Sequence, residues 1–104
     1  MNILLVEDEP AVRTGTEQFL RQRGFTVVTA TSGEEALKKF TEADVIILDI
    51  MLPGMSGIEV LHQIRQTSDV PVLMLTALHD EPTQVASFDE LADDYMSKPF
   101  SLVI

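Results

Sequence analysis

The chain has 104 residues, 45% of them hydrophobic, with seven basic and seventeen acidic side chains and a net charge of −10, which bounds it to one small domain with a single core. That acidity disfavours direct contact with nucleic acid, whose phosphates call for Lys and Arg, and with an anionic membrane surface. Cysteine is absent, so disulfides, thiolate catalysis and Cys-based zinc sites are excluded; with no basic-then-apolar leader and no apolar run of membrane-spanning length, a cytoplasmic protein is expected.

Asn2–Val6 (NILLV) is a short continuous apolar run, the pattern of a strand buried on both faces of a parallel sheet, and Glu7 and Asp8 close it. A helix is expected over Glu9–Gln22, where Val12, Thr16, Phe19 and Leu20 share one face. Pro10 suits its first turn and Gly24 its stop. Thr26–Ala30 (TVVTA) is a strand rich in β-branched residues. Ser32-Gly33-Glu34-Glu35 is a capping box opening a helix that turns Ala36, Leu37 and Phe40 inward. Asp44–Leu48 (DVIIL) is a third strand, ending in Asp49, with Pro53-Gly54 marking a turn beyond it. Ser56-Gly57-Ile58-Glu59 repeats the capping device before Val60, Leu61 and Ile64. Val70–Leu75 (VPVLML) is a fourth strand leading to Thr76. Pro82–Leu91 reads as a fourth helix with Val85, Phe88 and Leu91 on its apolar side, and Asp94–Ser97 as a short edge strand leading to Lys98.

The alternation predicts an α/β fold: a doubly wound parallel five-stranded sheet with helices on both faces. In such sheets ligands bind beyond the carboxyl ends of the strands. Glu7 and Asp8 follow the first strand and Asp49 the third; if these strands are neighbours, three carboxylates meet in one crevice. Like charges this close are costly unless a cation offsets them, and an all-oxygen donor set favours a hard divalent ion such as Mg²⁺. Thr76 adds a hydroxyl and Lys98 a mobile point charge suited to phosphate. The combination suggests phosphoryl transfer, with a carboxylate oxygen attacking in line. Taken singly, each residue has a plainer role. Glu7-Asp8 could begin a helix, Asp49 could belong to a turn, Tyr95 could be a half-buried edge residue, and Lys98 could be a solvated lysine. His62 and His79 lie in polar surroundings and read as solvated.

With these residues in place, Met1–Phe100 resembles the receiver domains of bacterial two-component response regulators. The resemblance rests on ILLVEDEP (Ile3–Pro10), VIILDIMLPGMSGIEVL (Val45–Leu61), VPVLMLTA (Val70–Ala77) and ADDYMSKPF (Ala92–Phe100), in the family's order. It implies a flavodoxin-like strand order 2-1-3-4-5 and a phosphoacceptor role for Asp49. It also implies Mg²⁺ held by Asp8, Asp49 and the Met51 backbone carbonyl, with Glu7 acting mainly through water. Thr76 would be the switch hydroxyl, Lys98 the phosphate-binding lysine and Tyr95 the aromatic that turns inward. The implied partners are a sensor histidine kinase and, since MLPGMSGIEVLHQIRQTSDVPVLMLTA looks most like the winged-helix transcription-regulator subclass, a C-terminal DNA-binding domain outside this chain. A stand-alone receiver acting through protein contacts is the alternative.

Two departures from the family pattern stand out. Only Ser101-Leu102-Val103-Ile104 follows Phe100, so the family's fifth helix is expected to be missing, leaving residues 1–104 as a truncated receiver. A bare sheet face beside the first and last strands would then favour a homodimer or swapped oligomer. Leu91 occupies a position where the family usually has Gly, at a cost of roughly 1–2 kcal/mol if the left-handed turn is kept. Two enzyme or ligand classes are weighed against the receiver reading. A phosphatase using an Asp nucleophile needs an acid/base two residues on, where this chain has Met51, which cannot donate a proton. A flavin or nucleotide module needs N–H groups facing phosphate after the first strand, where this chain has Glu7-Asp8-Glu9-Pro10.

Overall fold

The computed structural model describes residues 1–76 and 94–97. Along the chain run β1 (Asn2–Val6), α1 (Pro10–Gln22), β2 (Thr26–Ala30), α2 (Gly33–Lys39), a 3₁₀ turn (Phe40–Glu42), β3 (Val45–Asp49), α3 (Gly57–Arg65), β4 (Val72–Thr76) and β5 (Asp94–Ser97). All strand pairs are parallel and the sheet order is β2-β1-β3-β4-β5, as expected. The fourth helix expected over Pro82–Leu91, the turn at Leu91 and the question of a fifth helix lie outside the described residues.

The apolar runs become strands because they bury side chains on both faces of the sheet. On one face, Leu4 and Val6 of β1 and Ile46 and Leu48 of β3 pack with Ala36 of α2 and with Val60, Leu61 and Ile64 of α3. On the other, Ile3, Leu5, Val27, Ile47 and Leu75 pack with Leu20, supported by Phe19 and Phe25. Ile3 and Leu5 are 5% and 0% exposed and share this cluster with Leu20, Phe19 and Phe25. The expected bare face beside the first and last strands turns on residues that lie outside the described set. The side chains of β5 lie outside the described set.

Helix ends follow local chemistry. Pro10 takes the first position of α1, where its missing N–H costs nothing, and Gly24 carries the positive φ (+92°) of the turn that ends it. Ser32 and Ser56 cap α2 and α3, each side-chain oxygen accepting the N–H three residues on, from Glu35 and Glu59. β4 starts at Val72 rather than the expected Val70, after Pro71, whose nitrogen cannot donate to a ladder while its carbonyl accepts from the Ile46 N–H.

β2 forms an open edge. Its inward groups are fixed by the Thr26 N–H bonding Met1 and the Ala30 carbonyl accepting from Glu7, so the carbonyls of Val27 and Thr29 point away from the sheet. Both are capped by cationic side chains. Arg21 of α1 donates to the Val27 carbonyl (2.8 Å) and Lys39 of α2 to that of Thr29 (2.9 Å), one from each face. Each cation is anchored one helical turn back, Arg21 by Glu17 (2.9 Å) and Lys39 by Glu35 (2.8 Å). Exposed i,i+4 pairs add little stability; their effect here is to occupy the acceptors that a foreign strand would use. We expect Arg21→Ala with Lys39→Ala to cost roughly 1 kcal/mol yet to raise concentration-dependent self-association in sedimentation analysis. A double variant that stays as monodisperse as the parent would remove this role.

Glu35 also accepts from the N–H of Thr31 (2.7 Å) and from its hydroxyl (3.1 Å). The bond from Lys39, then the Thr31 N–H, lower its pKa from 4.5 to about 2. A folded value below the unfolded one means that ionised Glu35 contributes stability that is whole above pH 4.5 and lost as pH falls towards 2. The side chain is 37% exposed, so solvent screening keeps the effect small. Melting temperatures of the parent and Glu35→Gln should differ most above pH 4.5 and converge near pH 2.

Candidate functional site

The strand register builds the site. Val6 pairs with Leu48, so one residue further on Glu7 and Asp49 stand side by side at the carboxyl ends of β1 and β3. The Glu7 N–H still bonds the Ala30 carbonyl (2.9 Å), Asp49 pairs with Leu75, and the Ile50 N–H bonds the Leu75 carbonyl (3.2 Å), so both carboxylates sit on backbone held from two sides. Glu7, Asp8 and Asp49 each bring a carboxylate oxygen within 4.8 Å of the others. Glu7 and Asp49 are buried, 1% and 2% exposed, while Asp8 is open to solvent.

Local hydrogen bonds fix this geometry. Glu7 Oε2 accepts from the Glu9 N–H (3.1 Å), and Asp49 Oδ1 accepts from the Met51 N–H (3.1 Å), which ties the loop after β3 to the carboxylate it follows. Met51 is itself 63% exposed, at the outer side of that loop. Three convergent carboxylates, two of them buried, form an oxygen-only donor set with strong mutual repulsion, the chemistry that a hard divalent cation relieves.

Of the residues singled out in the sequence, Glu7, Asp8 and Asp49 are brought together, and Met51 adjoins them. Thr76 is the last residue of β4, one step past the partner of Asp49, and pairs through its backbone with Ser97. Tyr95 lies in β5 opposite Met74. Lys98, which follows β5, lies outside the described residues, as does His79. His62 is on the exposed face of α3, as expected.

The sequence reading missed Arg13. Its Nη1 donates to the carbonyls of Glu7 (3.1 Å) and Asp8 (3.2 Å), clamping the acidic turn to the first turn of α1. A signal was available: a cation near a helix N-terminus runs against the helix dipole and needs a local reason.

Residues 3–103 match the family described as response regulator receiver domain. Response regulator RR06 of Streptococcus pneumoniae is 47% identical over 106 residues, covering 100% of this chain and 49% of that protein. The alkaline phosphatase synthesis transcriptional regulatory protein PhoP of Bacillus subtilis is 48% identical over 102 residues, covering 95% of this chain and 42% of that protein. Among solved structures, response regulator TrrA of Thermotoga maritima, determined with Mg²⁺ and BeF, superposes with a TM-score of 0.84 at 39% identity, covering 95% of this chain and 87% of that one. The chain belongs to the response regulator receiver family. It spans about half the length of the curated relatives it matches, among them proteins named as transcriptional regulators. Among the described residues, no helix is long and apolar enough to cross a membrane.

Removing the Arg13 clamp frees the two carbonyls that position Glu7 and Asp8. If the three carboxylates hold a divalent ion, Arg13→Ala should weaken its binding, read by calorimetric titration with Mg²⁺, by about tenfold, the lower end of the usual effect of supporting residues, with the fold retained. Unchanged affinity would mean that the clamp serves folding alone.

Proposed function

We propose that this chain is the phosphoacceptor switch of a two-component system, accepting a phosphoryl group on Asp49 from the phosphohistidine of a sensor kinase. The observation that carries this reading is the convergence of Glu7, Asp8 and Asp49 within 4.8 Å, on a fold and family that agree with it. Asp8, Asp49 and the Met51 backbone carbonyl would hold Mg²⁺, with Glu7 acting through water; when bound, the ion offsets charge on the transferring phosphoryl oxygens. An Asp49 oxygen attacks phosphorus, an O–P bond forms, the N–P bond of the donor breaks, and its electron pair returns to the imidazole nitrogen. Asp49 suits this role because its flanking strand is held by β1 and β4, so the carboxylate is positioned in advance.

Thr76 and Lys98 would then bind the phosphoryl oxygens and Tyr95 would turn inward, shifting the surface formed by β5 and the expected helix over Pro82–Leu91. The new contacts exist only in the phosphorylated form, and that difference is what biases the two states. The transcriptional regulators among the relatives support a DNA-binding output domain, of the winged-helix type, in the whole protein. The chain would then work as one receiver domain in the cytoplasm, promoting only its own phosphoryl transfer and loss. Self-association as a homodimer or swapped oligomer belongs to the same proposal.

Asp49→Asn should abolish labelling by acetyl phosphate, and chelation of divalent ions should stop labelling of the parent. Undiminished labelling of the variant would put the acceptor elsewhere; labelling that survives chelation would remove the metal from the mechanism.

A further inference from the structure

α2 and α3 open with the same device, Ser-Gly-x-Glu: Ser32-Gly33-Glu34-Glu35 and Ser56-Gly57-Ile58-Glu59. In both, serine caps the helix and glycine is its first residue. Both glycines are buried, yet they meet different neighbours. A Cβ on Gly33 would face side chains, Val60 Cγ2 at 2.6 Å and Met55 Cβ at 3.2 Å. A Cβ on Gly57 would overlap the Asp49 carbonyl oxygen and lie 2.8 Å from Ile50 Cα and 2.9 Å from the Asp49 carbonyl carbon. The start of α3 is thus seated directly on the backbone of the acceptor residue. The Gly57 N–H bonds the Ile50 carbonyl (2.9 Å), which joins the ends of the loop carrying Met51.

We infer that Gly57 is a positioning residue for the phosphoryl-acceptor site: its missing side chain sets how closely α3 approaches β3, and so where Asp49 and the Met51 loop stand. This rests on the phosphoacceptor reading above. No flexible group is available to yield at Gly57. β3 is held by β1 and β4, and α3 is anchored through Val60, Leu61 and Ile64, all 0% exposed. An added methyl must therefore lift the helix start or push the end of β3. Either motion displaces Asp49 relative to Glu7 and Asp8, or strains the bond from the Met51 N–H to Asp49 Oδ1. At Gly33 the added methyl meets side-chain atoms of Val60 and Met55 instead of the Asp49 backbone, so any push reaches the carboxylates only at second hand.

The test compares the parent with Gly57→Ala and Gly33→Ala, each well below its melting temperature, for acetyl phosphate labelling rate and Mg²⁺ affinity. Gly57→Ala should slow labelling by about 10- to 100-fold, the scale of an ångström-sized misplacement, and weaken Mg²⁺ binding. Gly33→Ala should melt lower yet slow labelling clearly less than Gly57→Ala, since it does not press on the Asp49 backbone directly. Equal labelling of the two variants overturns the role of Gly57 and leaves the phosphoacceptor reading intact. A parent that takes no label overturns both. If Gly57→Ala does not fold, the matched cap variants decide. Ser56→Ala loosens the helix seated on Asp49 and should slow labelling, whereas Ser32→Ala should not; equal rates would overturn the inference.

Discussion

Parallel pairing of β1 with β3, in the register that sets Val6 against Leu48, is the constraint from which the site follows. Shifting either strand by one residue would send alternate side chains to the opposite face, separating Glu7 from Asp49 and exposing apolar groups on both sides of the sheet. The register is held by burial. Leu4, Leu5, Val6, Ile46 and Leu48 are all at or below 1% exposed, and each fully buried aliphatic side chain contributes about 1.5–3 kcal/mol. That apolar margin lets the chain hold three carboxylates within 4.8 Å at the ends of the same strands, an arrangement that opposes folding on its own.

The site thus gathers three carboxylates that the main chain helps to hold. Backbone N–H groups of Glu9 and Met51 stabilise one oxygen each on Glu7 and Asp49. Arg13, the cation nearest in sequence, is directed to carbonyls and not to the carboxylates themselves. Its geometry holds the acidic turn through the main chain. A cation bound there favours the folded, assembled site over any state in which the strand ends separate.

Much of this could be read from the residues in order. The apolar runs at Asn2–Val6 and Val45–Leu48 needed two buried faces, and the Ser-Gly-x-Glu boxes announced two helix starts, because these signals are local. What stayed illegible depends on which elements meet. The two boxes share the same Ser-Gly-x-Glu pattern, yet of the two glycines it is Gly57 that rests on the acceptor strand, since α3 and not α2 begins beside the end of β3. Arg13 was overlooked because its partners are main-chain oxygens, which leave no trace in side-chain spacing.

The same view of main-chain acceptors explains how a chain with seven basic residues among seventeen acidic ones uses its cations. Arg13 bonds the carbonyls of Glu7 and Asp8, Arg21 that of Val27, Lys39 that of Thr29, and Arg65 those of Ser68 and Val70. Arg23 lies over the Phe19 ring at 4.8 Å. These side chains close places where the chain turns or the sheet stops, at positions dispersed over the molecule. They do not form a stripe that could follow a nucleic-acid backbone. These five cations of the described residues thus serve internal geometry, each spent on a carbonyl or a ring of the chain itself.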